Sequence, residues 1–269
     1  MLKKKLVIKK LNRAINNFPA YSRLSAMAEI RNLERQKSNA FRKYGIGEER
    51  AIDLTEASNI LTRQRGNRER CNIIGSGMTA HLAADEGVDK DAAYFACNFA
   101  GLLPLPFDLY LIEVASQKTQ RFKEISDLQR DVISQISGQI GVLFLKNVWE
   151  GKISNNYITK NYPDTRILYD SIFPAHQRLI SQKEYKFVFD QFFFRAGPVV
   201  LQIYTTVLTL LQLAVRAGYT DIRIFGLDGS GPHFFHHDAR TWDERIIHRL
   251  RAEVPPLEVN ENHKVGGPG

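Results

Sequence analysis

Four short stretches of this chain combine residue types and spacing that suit work on a phosphorylated ligand. In the first, the apolar run Cys71-Asn72-Ile73-Ile74 leads into Gly75-Ser76-Gly77, and a helix is expected to begin at about Thr79. Closely spaced glycines let the backbone turn sharply and bring bare amides to a ligand. The new helix then aims its free N–H groups and positive dipole end at the same point. Ala80 completes a G-x-G-x-x-A pattern, which many tight strand–helix turns also share. The second stretch, Phe95-Ala96-Cys97-Asn98, ends where a dinucleotide site needs an acid for the ribose hydroxyls. Asn98 offers a donor and an acceptor without charge, which suits a base edge, a ribose or a sugar carboxylate better than NAD. The third, Phe225-Gly226-Leu227-Asp228, pairs a glycine that permits close approach with a carboxylate that either meets the ligand or closes an Asx turn. The fourth is Thr205-Thr206, whose hydroxyls either reach a phosphate or sugar or satisfy backbone carbonyls.

Five of the seven histidines fall late, at His233, His236, His237, His248 and His263. Their spacing matches no standard metal-ligand set, so no metal site is expected. A single histidine acting as general base is the better use, because its pKa lies near operating pH.

These residues need a frame. From Cys71 onward, strand-like and helix-like segments alternate: Cys71–Gly75, a short helix to about Glu86, Ala92–Asn98, Asp108–Val114, a helical spacing over Thr119–Ser137, and Ile140–Leu145. A helix is predicted over 198–217, ending at Gly218, and then a strand over Asp221–Gly226. That alternation predicts an α/β fold with a mostly parallel, doubly wound sheet, whose ligands bind beyond the carboxyl ends of the strands. The stretch at about 147–195 is rich in aromatic residues and irregular, and reads as a lid or insertion in the domain spanning 71–269. Residues 1–70 read as a separate helical extension, with Leu24, Met27, Ile30 and Leu33 on one face and a turn at Gly66-Asn67.

The 269 residues carry a net charge of +8, concentrated in that extension. A basic arm implies anionic partners (nucleic acid, lipid headgroups or a phosphorylated substrate) or simply a solvated helical face. Cys71 and Cys97 lie in apolar runs with no CxxC pair, which predicts reduced core thiols and a cytoplasmic setting. Leu6-Val7-Ile8 is too short for a signal-peptide core, so export is not expected. Pro198 to Val215 is long and almost uncharged, but Gln202, Tyr204, the threonines and Gln212 make it a buried helix rather than a membrane span.

Taken in order, the motifs resemble the bacterial sialyltransferases that use a CMP-activated sugar, together with related pterin-pyrophosphokinase-like proteins on the same core. The family's Gly-Asn-Gly-Pro-Ser turn is matched by Gly75-Ser76-Gly77-Met78-Thr79, and its Cys-Asn strand end by Cys97-Asn98. Its Thr-Ser-Gly-Val helix start is matched by Thr205-Thr206-Val207, and its following Gly-Tyr-x-x-Ile and Gly-Ile-Asp by Gly218-Tyr219-Thr220-Asp221-Ile222 and Gly226-Leu227-Asp228. The resemblance covers about residues 71–114 and 199–263. The chain departs from the family at Ser76, at Thr206-Val207, and at Gly229-Ser230-Gly231 with Phe234 and Phe235, where the family carries tyrosines that assist the leaving phosphate. Asn260-Glu261-Asn262-His263 resembles the segment of the family's catalytic histidine, which makes His263 the candidate base and His236 or His237 the reserve.

The resemblance implies a Rossmann-like core and a glycosyltransferase that needs no metal or other cofactor. Its donor is a CMP-sugar and its acceptor a glycan or glycolipid. The nucleotide would lie on Gly75, Ser76, Gly77, Asn98, Thr205, Thr206, Gly226 and Asp228. A glycolipid acceptor gives the basic arm a use at the cytoplasmic face of the inner membrane, as a peripheral attachment in lipopolysaccharide-type biosynthesis. A homo-oligomer is compatible with this reading. Two other readings stay open: a pyrophosphokinase-like enzyme using ATP and Mg²⁺, with Asp228, Asp238 and Glu113 as its available carboxylates, and a non-catalytic nucleotide- or nucleic-acid-binding protein.

Overall fold

The computed structural model describes residues 51–52, 54–113, 129, 131–134, 136, 138, 140–146, 166–168, 171–174, 199–202 and 206–227. Short apolar runs become the strands β1 (Ala51–Ile52), β2 (Arg70–Ile74), β3 (Ala92–Cys97), β4 (Phe107–Glu113), β5 (Ile140–Lys146), β6 (Arg166–Leu168), β7 (Ser171–Pro174), β8 (Val199–Gln202) and β9 (Asp221–Phe225). The helices are α1 (Leu54–Arg65), α2 (Leu82–Asp85) and α3 (Thr206–Arg216), with 3₁₀ turns over Met78–His81 and Asn98–Leu102. Residues 129, 131–134 and 136 are also helical, inside the stretch that the sequence spacing marks as a helix.

Seven strands form one sheet in the order β1-β6-β5-β4-β3-β2-β9, and every pair in it is parallel. The chain steps outward from β2 through β3, β4 and β5 to β6, then returns to lay β9 on the other side of β2. β7 and β8 pair separately, also in parallel. A parallel sheet is covered on both faces, so its central strands read as continuous apolar runs rather than alternating ones. β3 fits that description, with all six residues buried.

On one face, Cys71, Ile73, Ala93, Phe95, Cys97, Leu109, Leu111 and Phe144 pack against Leu54, Ala57 and Leu61 of α1 and against Val207, Leu210, Leu213 and Ala214 of α3. On the other face lie Ile74, Tyr94, Ala96 and Tyr110, with Ala80, Ala83, Val132, Ile133 and Ile136 also buried. Each fully buried Leu or Ile contributes roughly 1.5–3 kcal/mol by leaving water.

The structure differs from the sequence expectations at three places. The run 198–217 is not one helix: Val199–Gln202 forms β8, and α3 begins only at Thr206. Adjacent β-branched residues after a proline favour the strand, and a short apolar run carries no period that separates the two states. Arg166–Leu168 falls within the predicted insertion, yet it joins the sheet between β1 and β5. β1 and α1 lie within the stretch assigned to the N-terminal extension, but they belong to the sheet and its core. α1 carries Glu56 in its first turn and Arg63 and Arg65 in its last, charges that complement the helix dipole.

The amino edge of the sheet is held by charge. Arg68 pairs with Asp108 at 2.6 Å and also donates to the carbonyls of Gln64 and Ala92, which ties α1 to β3 and β4. Asp108 in turn accepts the Tyr94 amide at 3.0 Å. Arg70 bridges Asp221 at 2.6 Å and Asp89 at 2.8 Å, joining the starts of β2 and β9 to the loop before β3. At the foot of α3, Gly218 adopts φ +85° and ends the helix. Its carbonyl accepts Arg65 at 3.0 Å, while Tyr219 meets Phe95 edge to face at 5.5 Å. Both cysteines are buried and unpaired with each other, and burial pushes the Cys71 thiol up out of its reactive range.

The Asp89 carboxyl is held below its usual range, first by the Asp91 amide and then by Arg70. Its ionised form therefore stabilises the fold above the unfolded value of about 3.9, and that contribution is lost as pH falls through the lower folded value. Asp89→Asn is expected to flatten the acid limb of a stability–pH profile read by urea denaturation, and to leave the profile above pH ~5 parallel to wild type.

Candidate functional site

The carboxyl ends of β2, β3 and β9, together with the amino end of α3, converge at one edge of the sheet. The reversal of chain direction falls between β2 and β9, which is where an open parallel sheet places its ligand crevice. Here the base of that crevice is closed by the backbone itself. The Gly75 amide donates to the Phe225 carbonyl at 2.8 Å, and the Gly77 amide donates to the Gly226 carbonyl at 2.9 Å. The two turns touch so closely that a side chain fits at neither. A Cβ on Gly75 would strike the Gly226 carbonyl and sit 2.8 Å from Val207 Cγ2. A Cβ on Gly226 would lie 2.7 Å from the Gly75 carbonyl oxygen and 2.9 Å from Ala80 Cβ. Gly226 also has φ +68°, a left-handed conformation that a side chain penalises.

This arrangement corrects one expectation about the first turn. The sequence predicts bare amides at Gly75 and Gly77 for a ligand, but the Gly75 N–H is used by β9 and the Gly77 N–H by the turn after it. The backbone donors of the turn that have no partner among the described residues are Ser76 and Met78. Ser76 Oγ is buried and has no hydrogen-bond partner among the described residues. Its position therefore leaves one hydroxyl and two amides for a ligand.

Asn98 follows β3 directly and has φ +53°, the only described non-glycine residue with positive φ. Asparagine tolerates this conformation better than most residues, and strained backbone of this sort gathers at functional sites. The Tyr110 hydroxyl donates to the Asn98 carbonyl and holds the turn. Tyr110 is fully buried, and Gly101 leaves room for its ring: a Cβ there would lie 2.7 Å from the Tyr110 oxygen. No described residue bonds the Asn98 side-chain amide.

Thr206 opens α3 and is 6% exposed, so it lies beneath the surface of this edge. Val207 beside it packs on Gly75, which fixes the α3 amino end and its dipole at this edge. Thr205, Asp228, His236, His237 and His263 lie outside the described residues. The chain's Asp-x-Asp sequence, Asp89-Lys90-Asp91, lies at the opposite, amino edge, where Asp89 is bound to Arg70 and to the Asp91 amide. Among the described residues, no three of His, Cys, Asp and Glu stand close enough to hold a metal ion.

Two contributors carry weaker sequence signals. Tyr110 reads as an ordinary strand aromatic, and Thr79 as an ordinary helix start. Yet Thr79 Oγ1 accepts the Gly226 amide at 3.1 Å. Substitutions can separate clash from strain. Gly226→Ala combines a left-handed residue with overlap on Gly75 and is expected to cost about 3 kcal/mol or more in urea denaturation. Gly87→Ala has the same sign of φ (+79°) but open space around it, and should cost only about 1 kcal/mol. Tyr110→Phe leaves the Asn98 carbonyl unpaired and should cost about 1–3 kcal/mol in the same measurement.

No family model matches the chain, and no curated protein matches it. Solved structures it resembles include sialyltransferases from Campylobacter jejuni. They include CstII in complex with the substrate analogue CMP-3FNeuAc, at 18% identity over 60% of this chain and 63% of that one, with a TM-score of 0.34. The monofunctional α-2,3-sialyltransferase Cst-I matches at 16% identity over 62% of this chain and 59% of its own, with a TM-score of 0.37. An α-2,3-sialyltransferase in apo form matches at 14% identity over 70% and 72%, with a TM-score of 0.35. The chain thus spans about three-fifths of the length of the first two.

Proposed function

We propose that this protein is a glycosyltransferase that moves a sialic-acid-like sugar from a CMP-activated donor to a hydroxyl of a glycan or glycolipid, without a metal ion. The observation that carries the reading is Asn98: a neutral amide in a left-handed turn, at the carboxyl end of the strand beside the glycine turn. A ribose-binding acid would favour a dinucleotide, whereas an amide that both donates and accepts suits a pyrimidine nucleotide sugar. The order of motifs from Gly75 to Gly226 supports the same class.

In the proposed reaction, His263 takes the proton of the acceptor hydroxyl as its oxygen attacks the anomeric carbon. The bond from that carbon to the phosphate oxygen breaks, and CMP departs with the electron pair. Negative charge grows on the leaving phosphate. The Ser76 and Met78 amides, the Ser76 hydroxyl and the amino end of α3 are the groups that would stabilise it. Thr205 and Asp228 are proposed as further donor contacts, and Thr206 as a support beneath them. The basic residues of 1–70 are proposed to hold the enzyme at an anionic membrane face where a glycolipid acceptor is presented.

A panel of CMP, UMP, GDP, ATP and NAD read by thermal shift tests the nucleotide class. CMP is expected to stabilise by about 2.7 kcal/mol at a hundredfold excess over its Kd. Asn98→Gly keeps the turn conformation and should lose the CMP shift. Stabilisation by NAD but not by CMP would sink the proposal. Release of CMP from a CMP-sugar with acceptor present should survive EDTA and fall by 10²–10⁴-fold in His263→Ala, the range typical for loss of a general base.

A further inference from the structure

Among the described residues, three hydrogen bonds join the end of β9 and its turn to the turn after β2, and one of them is accepted by a side chain. Gly75 and Gly77 use backbone amides, whereas Thr79 Oγ1 accepts the Gly226 amide at 3.1 Å. Gly226 is buried, so that amide has no water to fall back on if the hydroxyl is removed. Thr79 lies in the 3₁₀ turn Met78–His81, which continues from the Ser76–Met78 donors. Ala80, its neighbour, packs on Gly226.

From this geometry we infer that Thr79 is a positioning residue, which makes the Gly226 turn move with the Ser76–Met78 turn when a nucleotide binds. The inference rests on the reading that these turns form the nucleotide site. A hydroxyl is suited to the task because it accepts one bond and can still donate another, so it can follow a small shift of either turn. A ligand that orders the Ser76–Met78 turn would then also order Gly226 through the threonine hydroxyl. Such coupling requires only that the bonded pair be tighter in the bound state than in the free one.

The test is amide hydrogen exchange and CMP titration on the full chain, comparing wild type with Thr79→Val, Thr79→Ala and Thr79→Ser. CMP should slow exchange at Gly226 in wild type and in Thr79→Ser. In Thr79→Val it should not, and CMP affinity should fall by roughly tenfold. Thr79→Ala serves the same purpose if the valine variant does not fold. A valine or alanine variant that binds CMP like wild type with the same protection at Gly226 overturns the inference, as does a serine variant that fails to restore it. If CMP leaves wild type unchanged, the nucleotide reading has failed. The latch itself is then decided by ligand-free exchange: faster exchange at Gly226 in the valine variant than in wild type and serine supports it, and equal rates overturn it.

Discussion

The site depends on one backbone contact, the meeting of Gly75 and Gly226. Two strands that are distant in sequence, β2 and β9, run side by side, and their ladder continues past both strand ends into the turns. That continuation leaves no space for a β-carbon on either glycine. It also fixes where α3 begins, because Val207 rests on Gly75. The glycines that look like an opening for a ligand are therefore first a joint between two strands, and the amides of the turn without a partner among the described residues are those of Ser76 and Met78.

The two edges of the sheet divide the work. Charge is concentrated at the amino edge, where Arg68 and Arg70 pair with Asp108, Asp89 and Asp221 and register the strand starts. These pairs are partly exposed, so each is of modest energy, and Arg68 gains from its additional carbonyl partners. The carboxyl edge described here has a different character: a left-handed asparagine, a buried hydroxyl without a partner and a helix amino end.

Much of this frame was legible in the sequence. The strands β2, β3, β4, β5 and β9 stand within a residue or so of the expected spans, because parallel strands buried on both faces appear as plain apolar runs. Gly218 was readable as a helix end from its place after Ala217. β8 was not, because Val199–Gln202 merges with the apolar run of α3 and no period separates them. β1 has two residues and no signal of its own. Asn98 stood out as a polar residue closing an apolar strand, but its positive φ is set by the turn that Tyr110 holds, which no local pattern reveals. Whether Gly75 faces a ligand or another glycine depends on a contact that exists only after folding. The same holds for Thr79, whose partner lies at the far end of the chain.

We propose that the turn after β2, with Asn98 beside it, holds a pyrimidine nucleotide by its phosphate. The most direct measurement is a crystal structure of the protein grown with CMP. The phosphate is expected within hydrogen-bond distance of the Ser76 and Met78 amides, and the nucleoside against Asn98. CMP seated elsewhere, or an empty turn after β2 at saturating CMP, would contradict it.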